Sequence, residues 1–171
     1  MPPLIIADAG PLIGLAKIGH LGLLRQLYKT IFIPHKTIFI PPTVRAELKP
    51  ESSYQGSDYL TSALDEGWLL VSEKPSDDLL ASLRQILDPG ESEAIALAQQ
   101  NEGASLIIDE HRGRNVASHR KIKIIGTGAV LLVAKQRQYI ENIREPLEAL
   151  VDVGYRLSPK LIERLLVMAG E

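Results

Sequence analysis

The sequence predicts an α/β domain built on a parallel sheet, and two observations carry that prediction. Short runs rich in β-branched residues alternate along the chain with segments of helical periodicity, which is the pattern of repeated βαβ units. The chain also has 171 residues with 45% hydrophobic content, which is long enough to bury one proper core and short for two. We therefore expect one domain spanning residues 1–171.

Five short runs are predicted to be strands. They are mainly apolar, as expected of parallel strands that are buried on both faces. Five is also an ordinary number of strands for one sheet. The predicted strands span residues 4–7, 38–41, 68–71, 105–108 and 122–125.

The remaining segments carry apolar residues at helical spacing. The first is broken near Gly19 into two pieces, the second has Pro42 in its opening turn, and the segment before the fourth strand is rich in alanine. No linker or low-complexity segment divides the chain, so the helices of residues 143–168 are expected to pack on the same domain. The predicted helices span residues 11–28, 42–49, 57–66, 76–87, 91–100, 127–138, 143–153 and 159–168.

A seven-residue segment is repeated in tandem around the second predicted strand. Residues 29–35 read KTIFIPH and residues 36–42 read KTIFIPP. We favour the second copy as the strand, because it leads directly into the helix that carries Glu47. The first copy is then a loop or an edge extension whose apolar residues feed an interface; register slippage between the two copies is the alternative.

Composition excludes several classes of protein. With 19 basic and 21 acidic residues the formal net charge is −2, so any affinity for a polyanion must be local. The absence of cysteine excludes a disulfide framework, a thiolate zinc site and a cysteine nucleophile. No apolar run approaches the roughly 18 residues that span a bilayer, and the amino terminus lacks the pattern of a signal peptide. We expect a soluble cytoplasmic protein with no membrane association.

Four acidic residues stand where apolar runs end. Asp8 and Asp109 follow predicted strands, whereas Glu47 and Glu93 lie near the starts of predicted helices. Parallel α/β sheets bind their ligands at this edge. Carboxylates gathered there raise one another's pKa values unless a positive charge lies between them, and a hard divalent cation is the simplest such charge. The pattern favours metal-assisted phosphodiester chemistry.

Three of these four acids also have an ordinary structural explanation. Asp8 and Asp109 could serve as helix N-caps, and Glu47 could be a charged residue on the wet face of a short helix. Asp88 and Glu91 have the spacing of a capping box. Because residues two apart on a helix point about 200° away from each other, we assign Glu93 to the site and Glu91 to the cap.

Basic residues follow the last of these acids. Residues 111–138 contain seven Lys or Arg and no acid, which is either a solvated face or a positive rim that holds phosphates. Arg112 and Arg114 are the candidates for guiding a substrate backbone; pairing with carboxylates to hold the fold is the alternative. Thr127 opens a helix with its backbone N–H groups free to meet an anion or a metal-bound water.

Six blocks in order resemble a known family: IIADAGPLIGLAKIG, IPPTVRAEL, LDPGESEAIALA, LIIDEHRGRNVA, IIGTGAVLLVAK and SPKLIERLLVMAGE. Together they are similar to the PIN-domain (PilT N-terminus) ribonucleases, in particular the prokaryotic branch related to VapC toxins that carries GExEAI and DExxGR blocks. The resemblance covers essentially the whole chain. It implies a three-layer α/β/α fold with a sheet of order 3-2-1-4-5 and an acidic pocket at the carboxyl ends of the strands.

The resemblance also implies a function. Asp8, Glu47, Glu93 and Asp109 take the places of the family's catalytic metal-binding quartet, so we expect Mg²⁺- or Mn²⁺-dependent hydrolysis of RNA. A VapC-like protein would have an antitoxin partner and form a homodimer. Gly10 departs from the pattern, because many PIN nucleases have Ser or Thr there; Thr127 could supply the lost hydroxyl.

Two alternatives to a ribonuclease stay open, and a third is weak. A catalytically silent PIN module would bind RNA or a partner protein without cleaving it, and a nuclease of the same fold could act on DNA. A phosphorylation-receiver domain also gathers acids at strand ends, but it requires an adjacent acidic pair after the first strand, and Ala9 follows Asp8.

Overall fold

Five parallel strands form one sheet in a computed structural model of the protein, which describes residues 4–28 and 37–171. The strands are β1 (Ile5–Ala7), β2 (Ile38–Ile40), β3 (Leu69–Val71), β4 (Ser105–Ile107) and β5 (Lys123–Ile125). Their order is β3-β2-β1-β4-β5. This confirms the predicted α/β class and the strand order that the resemblance implied.

The register of the central strands determines where the site forms. Ala7 of β1 lies opposite Ile107 of β4, and the Asp8 N–H donates to the Ile107 carbonyl at 3.0 Å. Asp8 and Asp109 therefore follow two adjacent strands at the same edge of the sheet, which is where parallel α/β sheets bind their ligands.

Ten helices in the described residues surround the sheet. They are α1 (Ala9–Lys17), α2 (Gly22–Leu27), α3 (Pro42–Leu48), α4 (Ser57–Asp65), α5 (Asp77–Leu83), α6 (Pro89–Gln100), α7 (His111–His119), α8 (Thr127–Gln136), α9 (Arg144–Asp152) and α10 (Pro159–Ala169). The predicted break near Gly19 is present, and Gly19 has a positive φ of 73°. The helix predicted over residues 76–87 ends earlier, at Leu83.

Helix α7 was not predicted. Its segment is polar and offers little apolar periodicity, which is the main sequence signal for a helix. The helix begins instead at a cap, because the Glu110 side chain accepts a hydrogen bond from the Gly113 N–H at 2.9 Å. Only Gly113 and Ala117 of this helix are buried.

The core lies on both sides of the sheet. Side chains of the central strands, such as Ile6, Ile40 and Leu106, are completely inaccessible to solvent. Helix α9 packs on α1 and α10 packs on α8, so the last two helices contact the rest of the fold. No helix in the described ranges is long and apolar enough to cross a membrane.

The second copy of the repeated heptad supplies β2 and the start of α3. This confirms its assignment as the sheet strand. The first copy, residues 29–35, lies outside the described residues.

Candidate active site

Asp8 follows β1 at the centre of the site. It occupies the N-cap position of α1, but its side chain makes no capping hydrogen bond, so the ordinary explanation for an Asp at this position fails. Only 7% of the residue is exposed. Burial, together with the negative charges of Asp88, Glu47 and Asp109, raises the pKa of Asp8 to about 7, and the Ala9 N–H offsets part of that shift.

Asp109 follows β4 and is held by three donors. Its Oδ1 accepts from the Thr127 N–H at 2.9 Å, and its Oδ2 accepts from the Thr127 hydroxyl at 2.5 Å and from the Tyr155 hydroxyl. The cap of α7 is the next residue, Glu110, so Asp109 is not engaged in capping. Its carboxylate is instead held by the hydrogen bonds from Thr127, the first residue of α8, and from Tyr155.

Glu47 approaches the site from α3. The residue is exposed, yet its carboxylate presses on α6, since a Cβ added at Gly90 would lie only 2.4 Å from Glu47 Oε2. Burial of its carboxyl group, followed by the charges of Asp88 and Glu93, raises the pKa of Glu47. Gly90 therefore leaves the room that this carboxylate occupies.

Glu93 is buried on α6, and its carboxylate already has partners in the protein. It is 2% exposed; its Oε2 accepts from the Thr43 N–H at 2.9 Å, and its Oε1 lies 3.4 Å from Arg84 Nη2. These contacts compensate much of its negative charge and join α6 to the start of α3. Sequence reasoning missed Arg84, which no motif marks.

Glu91 lies among the other carboxylates. Half of the predicted capping box forms, because the Asp88 carboxylate accepts from the Glu91 N–H at 2.9 Å. The reciprocal bond is absent, and no residue in the described ranges donates a hydrogen bond to the Glu91 carboxylate. Burial and the neighbouring charges of Asp88, Asp8, Glu110 and Glu47 raise the pKa of Glu91 to about 8.

One continuous acidic cluster results. The negative charges of Asp109 and Glu47 act on Asp8, and that of Glu93 acts on Glu47. The four predicted acids are thus brought together at one edge of the sheet. Two further acids that sequence reasoning had assigned to a cap, Asp88 and Glu91, belong to the same cluster, because Asp88 acts on Asp8 and Glu47 and both of these act on Glu91.

The predicted substrate contacts have other partners in the structure. Arg112 donates to the Ile86 carbonyl at 3.2 Å, and Arg114 donates to the Ile108 carbonyl at 3.0 Å. Neither pairs with a carboxylate among the described residues. Thr127 is completely buried, and both its N–H and its hydroxyl are committed to Asp109.

A cleft of about 490 Å³ opens beside the cluster. Asp88, Glu91 and Glu110 line one part of it, and Arg112 with the apolar side chain of Ile86 lines another. Ile86 is 47% exposed. The cleft therefore presents carboxylates, a guanidinium and an apolar surface side by side.

The remaining basic residues of the 111–138 stretch do not form a rim around the acids. Arg120, Lys121 and Lys123 line a different cleft near the amino end of β5, while Lys135 binds Glu171 and Arg137 donates to the Leu27 carbonyl at 3.1 Å. The expectation of a continuous positive rim is wrong. Only the first two arginines of the stretch lie near the acidic edge.

The oxygen-only donor set of the cluster suits a hard divalent cation. Buried carboxylates with raised pKa values and little positive charge nearby are also what such a cation would stabilise. In the ranges that the structure describes, no three Asp, Glu or His side chains are already arranged tightly enough to hold an ion. An ion held by two of these carboxylates would complete its coordination with water molecules.

A family model described as "DUF3368: PIN domain" matches residues 4–171. The chain belongs to the PIN-domain family. This membership supports a nuclease-type function, since PIN domains are generally nucleases that use divalent metals. A search of curated proteins finds no match for this PIN domain.

Tyr155 is a second site residue that sequence reasoning missed. It lies more than 40 positions from Asp109 in the chain, and no motif includes it. The signal that could have found it is local: Gly154 follows the last apolar-periodic residues of a helix, where glycine typically ends a helix and the next residue turns back to pack on it. Which element that residue would reach is not readable from the sequence.

Proposed function

We propose that this PIN domain is a ribonuclease that requires Mg²⁺ or Mn²⁺. The observation that carries the proposal is the convergence of Asp8 and Asp109 at the carboxyl ends of adjacent central strands, with Glu47 in electrostatic contact. Far-separated positions of the chain supply these carboxylates, which favours a shared ligand over separate structural roles.

The residues have distinct parts in the proposed reaction. Asp8 and Asp109 are the principal metal ligands, because strand ends fix their backbones. Glu47 and Glu93 complete the acidic quartet. Glu93 contributes its negative charge from a fixed position beside Glu47. When bound, the cation would lower the pKa of a water molecule and offset the charge of the phosphodiester.

Substrate would lie in the cleft beside Glu91. Arg112, on its rim, would meet a backbone phosphate. Arg114 and Thr127 would support the site from behind, Arg114 through its bond to the Ile108 carbonyl and Thr127 through Asp109. A single-stranded RNA is the substrate class we favour.

Cleavage of a labelled single-stranded RNA tests the proposal. We expect Mn²⁺-dependent cleavage that is lost in Asp8→Asn and in Asp109→Asn, with both variants folded by circular dichroism. Asp65→Asn is the matched control, because Asp65 is exposed on α4 and should cleave like the wild type. A wild type that remains inactive at saturating Mn²⁺ would refute the enzymatic role.

A catalytically silent module is the second candidate. Gly10 favours it, because the position lacks the hydroxyl that many PIN nucleases carry near their first Asp. RNA binding without cleavage in the same assay would support the module. Running single-stranded DNA in parallel distinguishes a DNA-directed nuclease.

Toxin function, an antitoxin partner and a homodimer are further parts of the proposal, and they rest on the VapC-like blocks. We also propose a cytoplasmic location. Growth arrest on overexpression of the wild type, with Asp8→Asn as the control, tests toxicity. A small gene for a partner protein beside this one would support the antitoxin. Light scattering of the purified chain measures the oligomeric state.

A further inference from the structure

Tyr155 reaches the acidic cluster from the opposite end of the chain. Its hydroxyl donates to Asp109 Oδ2 and lies 3.5 Å from the Thr127 hydroxyl. A Cβ added at Gly10 would lie 4.0 Å from the same hydroxyl. The phenol thus brings a hydroxyl close to the position where this chain has Gly10.

The local backbone is built to place this side chain. Helix α9 ends in a Schellman motif: Gly154, with a φ of 85°, donates to the Val151 carbonyl at 2.9 Å, and Tyr155 donates to the Leu150 carbonyl at 2.9 Å. Glycine tolerates that left-handed conformation without strain. The motif turns the chain back so that the ring lies against α1.

Helix α1 has a matching gap. A Cβ added at Gly14 would lie 2.7 Å from both Cδ2 and Cε2 of Tyr155, so the ring fills the space that any larger residue would occupy. The ring is consequently wedged between α1 and the α9–α10 connection. Its hydroxyl has little freedom to leave Asp109.

We propose that Tyr155 is a positioning residue that holds Asp109 in the orientation required to bind the metal. The inference rests on the proposed function. A carboxylate offers about four lone-pair directions, and the two donors of Thr127 with the phenol of Tyr155 occupy three of them. The remaining lone-pair direction is the one available to a metal ion. The three donors therefore fix the orientation in which the Asp109 carboxylate would bind that ion.

Hydrogen-bond partners of metal-binding carboxylates affect the affinity for the metal. Their loss typically lowers that affinity by about 10- to 100-fold. We expect Tyr155→Phe, which keeps the ring and removes only the hydroxyl, to weaken Mn²⁺ binding by that factor in isothermal titration calorimetry. The Mn²⁺ concentration for half-maximal cleavage should rise in parallel, while kcat at saturating Mn²⁺ stays near that of the wild type.

Tyr54→Phe is the matched control. It also removes a hydroxyl that donates to a protein acceptor, the Leu48 carbonyl at 2.5 Å, but it does not touch Asp109. Gly14→Ala is the second variant, because it displaces the ring without removing the hydroxyl, and it should weaken Mn²⁺ binding in the same direction. It takes the place of Tyr155→Phe if that variant does not fold.

The outcomes separate this inference from the proposed function. Wild-type Mn²⁺ affinity in Tyr155→Phe, with a wild type that binds Mn²⁺ and cleaves RNA, overturns the role of Tyr155 alone. Tighter binding in Tyr155→Phe also overturns it, because the phenol would then be competing with the ion. A wild type that binds no Mn²⁺ overturns both.

Discussion

At the residue scale, ionisation of the buried Asp8 carboxyl group destabilises the metal-free protein. Its pKa of about 7 in the folded state lies well above the value of about 3.9 expected in an unfolded chain. Between those values the native state binds more protons than the unfolded state, so stability falls as pH rises from about 4 to 7. Glu47 and Glu91 shift in the same direction.

This sign gives a direct prediction. Urea unfolding of the metal-free protein should show lower stability at pH 8 than at pH 5, and Asp8→Asn should flatten that dependence by an amount on the order of a few kcal/mol. Asp65→Asn should retain the wild-type slope. The account of Asp8 is wrong if its Asn variant loses stability with pH as steeply as the wild type does.

Substitution of Gly90 is expected to lower RNA cleavage without lowering the stability of the protein. Alanine is a better helix former than glycine by up to about 1 kcal/mol, and the Cβ would meet only the mobile end of Glu47. We expect Gly90→Ala to melt at the same temperature as the wild type or higher, while Mn²⁺-dependent RNA cleavage falls because Glu47 is displaced.

Gly22→Ala is its control, because a Cβ there meets nothing within 4 Å and Gly22 also lies in the first turn of a helix. Cleavage by Gly90→Ala at the wild-type rate would show that the position of Glu47 does not matter.

At the element scale, the side chain of Glu171 joins three helices. It accepts from the Ile143 N–H at 2.7 Å and the Arg144 N–H at 3.1 Å, at the start of α9, and from Lys135 Nζ of α8 at 2.8 Å. These bonds lower the pKa of Glu171, the bond to Lys135 most of all. A negative charge at a helix N-terminus is stabilising.

Glu171→Gln should therefore lower the free energy of unfolding by about 0.5 to 1 kcal/mol at neutral pH. Because the folded pKa lies below the unfolded one, this contribution is present above about pH 4.5 and is lost as pH falls through the folded value. Glu163→Gln, on the exposed side of α10, should have little effect. Equal stability of the two variants by urea unfolding would contradict the role of this cap.

Elements were predictable where the sequence pattern is local. All five strands were placed to within one residue, because each is a short, mainly apolar run rich in β-branched residues. Helix α7 was not, since its helical state depends on the Glu110 cap and on packing against β5. Tyr155 was missed for a related reason: its approach to Asp109 is set by how α9 packs on α1.

At the scale of the whole molecule, topology gathers the site. The β1–β4 pairing brings Asp8 and Asp109 to one edge, and the helix capped by Asp88 adds Glu91 and Glu93. Sequence reasoning could place the four predicted acids at one edge because the ends of strands and the starts of helices are readable from the sequence. It misjudged Glu91 because a 200° rotation between alternate helical residues still leaves both in reach of different members of a broad cluster.

The most direct measurement is a crystal structure of the protein grown with Mn²⁺, with anomalous scattering recorded at the manganese edge. The account predicts an anomalous peak within coordination distance of side-chain oxygens of both Asp8 and Asp109, lost in crystals of Asp8→Asn. Saturating Mn²⁺ that leaves no peak between these two carboxylates, in a protein that still cleaves RNA, would contradict it.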